Sequence, residues 1–101
     1  MTLNEDFIFQ ILSIVDEIPE GKVASYSLIA DLAGCPKNAR LVGKVLSLSE
    51  YYGRFPCHRV VNSQGRFVPG WDEQKSLLFK EEVNFKENGN VNMKKNLWEV
   101  G

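Results

Sequence analysis

The sequence is poor in the residues that staple small domains: 101 residues carry two cysteines, one histidine and four prolines. Cys35 and Cys57 lie too far apart for a CxxC pair, and His58 cannot complete a zinc site with them. Neither a metal nor another cofactor is expected. No stretch approaches the roughly 20 apolar residues of a membrane span, and Glu5 and Asp6 stand where a secretory leader would be basic. No membrane partner is expected, and the simplest location is a reducing cytoplasm with both thiols free. Internal repeats and low-complexity tracts are lacking too. Even net charge is nearly missing, with 12 Lys and Arg against 13 Asp and Glu. Nucleic-acid-binding proteins are usually basic, so a total of −1 argues at first against such a partner.

What is present suffices for one compact domain, expected as a monomer over residues 1–101. With 44% hydrophobic and 25% charged residues, a chain of this length buries well over half of its unfolded surface and needs no disulfide. The charge is also unevenly spread. Met1 to Pro36 holds six acids and one base, whereas Lys37 to Arg66 holds six bases and one acid, a local +5. Chance segregation of solvated charges gives the same numbers. The distribution nevertheless reopens the question of nucleic acid.

The order of elements predicts an α+β, mainly helical, winged-helix-like domain. Asn4 is placed to cap a helix with Glu5 and Asp6 in its first turn and Phe7, Ile11, Ile14, Val15 and Ile18 along one face. Pro19 and Gly21 end it, and Val23 to Ser25 reads as a short extended piece. Ser27 then caps a helix over Leu28–Ala33, Gly34 stops it, and a third helix opens at Pro36 and runs to about Leu48. Residues 27–48 thus resemble a helix-turn-helix. Arg59–Val61 and Arg66–Val68 read as a small hairpin around Asn62 to Gly65. Asp72 is placed to cap a fourth helix to about Glu82, with Leu77 and Leu78 inward. Asn88-Gly89 joins Val83–Lys86 to Val91–Lys94 in a second hairpin, and Trp98 folds back as an apolar anchor.

The chemistry concentrates in Pro56 to Val61. A cysteine attacks as thiolate, of which roughly 3% is present at pH 7 for an unperturbed thiol, so a catalytic Cys57 needs a base or positive electrostatics. On a strand, Cys57 and His58 point to opposite faces, and a bound water would link them. The competing reading is a buried apolar cysteine beside a surface histidine. On the third helix, Ala39 and Gly43 share one face with Arg40 at its edge. Small residues there permit close approach, either to core neighbours or to a minor groove that an inserted Arg40 would enter. Lys37 and Lys44 flank that face. Cys35 and Phe67 read as packing residues.

The segment Pro56-Cys57-His58-Arg59-Val60-Val61 resembles the active-site signature of the O6-alkylguanine-DNA alkyltransferases. Six further blocks follow the family's order: residues 18–23, Ser25-Tyr26, Ile29-Ala30, Gly34-Cys35-Pro36, residues 39–43 and residues 77–81. The resemblance covers the family's DNA-binding, alkyl-accepting domain. It implies that duplex DNA containing alkylated guanine is the partner, and that the damaged base is flipped out. Cys57 would then accept the alkyl group irreversibly, as a single-turnover methylated-DNA–protein-cysteine methyltransferase. His58 would take the thiol proton through a water, Glu81 would orient His58, and Tyr26 would donate to the base. Carbonyls near Cys57 and Val60 would read the guanine edge. Apart from the resemblance, Trp71 after Pro69-Gly70 reads either as pocket wall or as packing, and Ser63 as a contact to the base or a phosphate or as a shaper of the turn.

Two departures point elsewhere. The family's usual Asn, eight residues before the cysteine, is Ser49 here, too short to brace the turn without a water or another partner. The loop that closes over the flipped base is reduced to Val68-Pro69-Gly70-Trp71. These features, and the ending Asn96-Leu97-Trp98, resemble the alkyltransferase-like proteins, which bind alkylguanine without removing the group and mark it for nucleotide excision repair proteins. In those proteins the cysteine is typically replaced; this chain keeps Cys57. Alkyl transfer is the first expectation and a non-enzymatic lesion sensor the alternative. A plain helix-turn-helix regulator would leave Cys57, His58 and Tyr26 without a purpose.

Overall fold

A computed structural model describes residues 4–100. Helix α1 spans Glu5–Asp16, and Asn4 caps it as expected, its Oδ1 accepting from the Phe7 N–H at 2.8 Å. Ile8, Ile11, Leu12 and Val15 form its buried face, and Ile18 is buried just past the helix end. Two-residue strand β1, Ala24–Ser25, leads directly into α2, Tyr26–Leu32. The cap of α2 is Ser25, not Ser27: its Oγ accepts from Leu28 N–H at 3.0 Å. Strand pairing fixes Ser25 in the extended conformation an N-cap requires.

Gly34, with φ +80°, ends the turn after α2. The next helix, α3, spans Ala39–Ser47 and starts later than Pro36 suggested. Residues 35–38 instead close a turn, the Asn38 N–H donating to the Cys35 carbonyl at 2.9 Å. Helices α1, α2 and α3 pack around one core, against which Cys35 and Trp98 lie partly buried. No described helix is long and apolar enough to cross a membrane.

The first expected hairpin does not form. Strand β2, Val60–Val61, pairs in parallel with β1, Ala24 opposite Val60 and Ser25 opposite Val61. Residues 62–66 do close a turn, but residues 66–68 are not a strand. The cause is Gln74, fully buried on α4, Glu73–Lys80. Its Nε2 donates to the Val60 carbonyl at 2.9 Å while its Oε1 accepts from the Val68 N–H at 2.7 Å. The side-chain amide stands where a peptide of the partner strand would bond. Asp72 occupies the N-cap position of α4, but its side chain makes no capping bond. Leu78 is buried and Leu77 only partly so.

The second hairpin is partly as expected. Phe85 and Val91 form an antiparallel bridge around Asn88-Gly89, but the chain then turns into helix α5, Met93–Asn96, capped by Asn92. Gly65, φ +82°, lets the 62–66 turn sit on Val91, where a Cβ would fall 2.3 Å from the Val91 carbonyl oxygen. Val23, Val61, Leu78, Val83 and Val91 make a second core, with Phe67 packed against it. Trp98 packs its side chain against the first core while its backbone N–H donates to the carbonyl of Val23, a member of the second, at 2.8 Å.

Candidate nucleic-acid site

Cys57 does not lie on a strand. Cys57–Arg59 is one turn of 3-10 helix, so the alternation expected of Cys57 and His58 does not apply. The thiol donates to Ser49 Oγ at 3.4 Å, and Ser49 is buried. Ser49 thus reaches the sulfur directly, without the water or second partner expected for so short a side chain. Burial pushes the Cys57 thiol above its ordinary pKa, and the hydrogen bond to Ser49 only partly opposes this. The Tyr26 hydroxyl is likewise pushed up, by burial first and by proximity to Cys57 second.

Behind this turn stands a tight polar clasp. His58 Nε2 and Glu81 Oε2 are 2.5 Å apart, which brings together the two residues expected to pair. Glu81 is shared, however. Arg59 Nε donates to Oε1 and Nη2 to Oε2, each at 3.0 Å, and the Gly21 N–H donates to Oε1 at 2.9 Å. Arg59 Nη1 also reaches the Ile18 carbonyl at 2.8 Å, tying the end of α1 to the Cys57 turn. Burial alone would raise the Glu81 carboxyl, but the bonds from Arg59, Gly21 and His58 hold it below its ordinary pKa. Gln74 adds a bond to the His58 carbonyl at 3.1 Å. Arg59 and Gln74 have no role in the sequence reading. The only available signal was Gln74 sitting one helical turn before the core residue Leu78.

In front of the turn is a cavity of about 370 Å³, at the small end of the range for ligand sites. Tyr26, Gly43, Leu46, Ser49, Cys57 and Trp71 line it, together with Ser47, Glu50 and Val68. Four expected site residues therefore converge. Gly43 presents so little bulk that Tyr26 Cε1 would be the nearest atom to an added Cβ, at 3.8 Å. Ala39 is partly buried, and Lys37, Arg40 and Lys44 are exposed on or just before α3. Among the described residues both ion pairs fall on Glu81, so these three cations are uncommitted. Val60, expected in the pocket, is fully buried and does not line the cavity, and its carbonyl is engaged by Gln74. Ser63 is displaced: the 62–66 turn carries it out to a separate polar recess beside Lys86 and Lys94.

A small aromatic-walled cavity beside a helix with an uncommitted basic face suits a DNA-binding domain that accommodates one base. The sequence profile of the 6-O-methylguanine DNA methyltransferase DNA-binding domain matches residues 6–83, and the chain belongs to that family. Within it, the chain is 38% identical over 98 residues to a DNA base-flipping protein of Vibrio parahaemolyticus, covering 94% of this chain and 98% of that one. Its fold matches Schizosaccharomyces pombe Atl1, solved with damaged DNA containing O6-carboxymethylguanine, at a TM-score of 0.84 and 30% identity. That match covers 98% of this chain and 100% of the other. Against the O6-methylguanine methyltransferase of Mycobacterium tuberculosis the TM-score is 0.63 at 29% identity, covering 79% of this chain and 50% of that one.

Proposed function

We propose that this protein binds O6-alkylguanine in duplex DNA, turns the damaged base into the Cys57 cavity, and holds it there as a lesion sensor. The observation that carries the sensor reading is the thiol's partner. Cys57 gives its hydrogen to Ser49, a hydroxyl that cannot serve as a base near neutrality, and burial favours the protonated thiol. The match over nearly whole length to a base-flipping protein and to Atl1 supports the same reading. Arg40 takes the space vacated by the base, Lys37 and Lys44 meet phosphates, and Tyr26 and Trp71 wall the pocket around it. A lesion held without repair is then available to nucleotide excision repair proteins.

Alkyl transfer to Cys57, the first expectation from the sequence, becomes the second reading. It is favoured by one observation, the Cys57 sulfur on the cavity wall with the His58–Glu81 pair behind it. Competition binding with O6-methylguanine and undamaged duplexes tests the proposal. Wild type and Cys57→Ala should both prefer the lesion, to the same degree. Equal affinity of the wild type for the two duplexes would end the sensor reading.

A further inference from the structure

The cavity beside Cys57 is not isolated. Tyr26 and Val68 also line a second recess of about 510 Å³, which contains Asn62 and Arg66. That recess shares Asn90 with a third, of about 480 Å³, which contains Ser63, Lys86 and Lys94. Through these shared residues the three recesses succeed one another from the base cavity past the 62–66 turn to the C-terminal hairpin, a succession termed the track. No acidic side chain lines the second or third recess.

Two of its amide side chains are committed alike. Asn62 Oδ1 accepts from the Gln64 and Arg66 N–H groups at 2.9 and 2.8 Å, and Asn88 Oδ1 accepts from Asn90 N–H at 3.0 Å. With the oxygens committed to backbone, the amine ends of these amides are the groups left for a ligand. Donors and cations without a carboxylate make a surface for anions. We infer that this track carries the phosphodiester backbone leading away from the flipped nucleotide, with Arg66, Lys86 and Lys94 as phosphate contacts. The inference rests on the DNA-binding reading above and extends it to residues outside α3.

The test uses the full chain and a labelled duplex with one O6-methylguanine, titrated across a range of KCl concentrations beside its undamaged counterpart. The double variant Lys86→Gln/Lys94→Gln should flatten the slope of log affinity against log salt by about 1.5–2, the amount for two phosphate contacts. Affinity at low salt should fall roughly tenfold on both duplexes, leaving their ratio unchanged. A charge-matched control, Lys22→Gln/Lys80→Gln, alters exposed lysines outside the track and should leave the slope within about half a unit of wild type. If the track variant behaves like wild type, or no differently from the control, the inference is overturned. Failure of the sensor reading would look different: the wild type would lose lesion preference while the slopes still reported the track.

Discussion

Arg59 and Arg40 carry the same guanidinium into two regions that use it in opposite ways. Behind Cys57, Arg59 spends its donors on Glu81 and the Ile18 carbonyl, and His58 and Gln74 are bonded there as well. On α3, Arg40 is exposed and joins neither of the ion pairs found among the described residues. The first region determines where the cavity wall stands. The second leaves its charge outside every ion pair found among the described residues. A residue type therefore does not reveal its role; the number of internal partners already satisfied does.

The comparison can be broken most forcefully at Gln74. Gln74→Met keeps the side chain's length but leaves two carbonyls and one N–H without a partner, which should lower unfolding stability by about 3 kcal/mol in a denaturant titration. Arg40→Ala attacks the other region. It should reduce affinity for the lesion duplex by about 2 kcal/mol, roughly thirtyfold, while the melting temperature stays at the wild-type value. A stability loss without a binding loss would reverse the assignment of the two regions.

Smaller effects sharpen the division. Because Glu81 sits below its ordinary pKa, its ionised form stabilises the fold above about pH 4.5, and that contribution disappears as pH falls through the lowered value. Glu81→Gln should cost about 1–2 kcal/mol at neutral pH and progressively less as pH falls below about 4.5, so urea midpoints of the two proteins should converge on acidification. Gly43→Ala should act in the opposite sense. The added methyl meets Tyr26 at an ordinary distance and favours the helix, raising stability by up to about 1 kcal/mol, yet it thickens the face turned to DNA and should weaken lesion binding severalfold.

Much of this arrangement was legible in the sequence, for reasons that differ by region. Asn4, the periodic face of α1 and the anchor at Trp98 follow from local rules, and the structure has them. Tyr26 and Cys57 follow from motif resemblance, Gly43 from helix spacing and Trp71 from its place after Pro69-Gly70, and the four meet at one cavity. Apart from the late start of α3 and the unused cap at Asp72, the failures are tertiary. The hairpin at residues 59–68 was lost because a glutamine from α4 took the bonds that strand pairing would have used. Ser63 left the pocket because the same turn faces the C-terminal hairpin. Arg59 went unnoticed as a clasp because its partner lies 22 residues away in sequence. The near-zero net charge misled in a similar way, since a sum over the chain cannot separate a cation bonded inside from one held out at the surface.

In the proposed sensor, Cys57 forms part of the wall of a binding cavity and does not accept the alkyl group. The most direct measurement is the intact mass of the protein after prolonged incubation with excess O6-methylguanine duplex under conditions of saturated binding. The account predicts an unchanged mass. A stoichiometric gain of one methyl group that vanishes in Cys57→Ala would contradict it and restore alkyl transfer as the function.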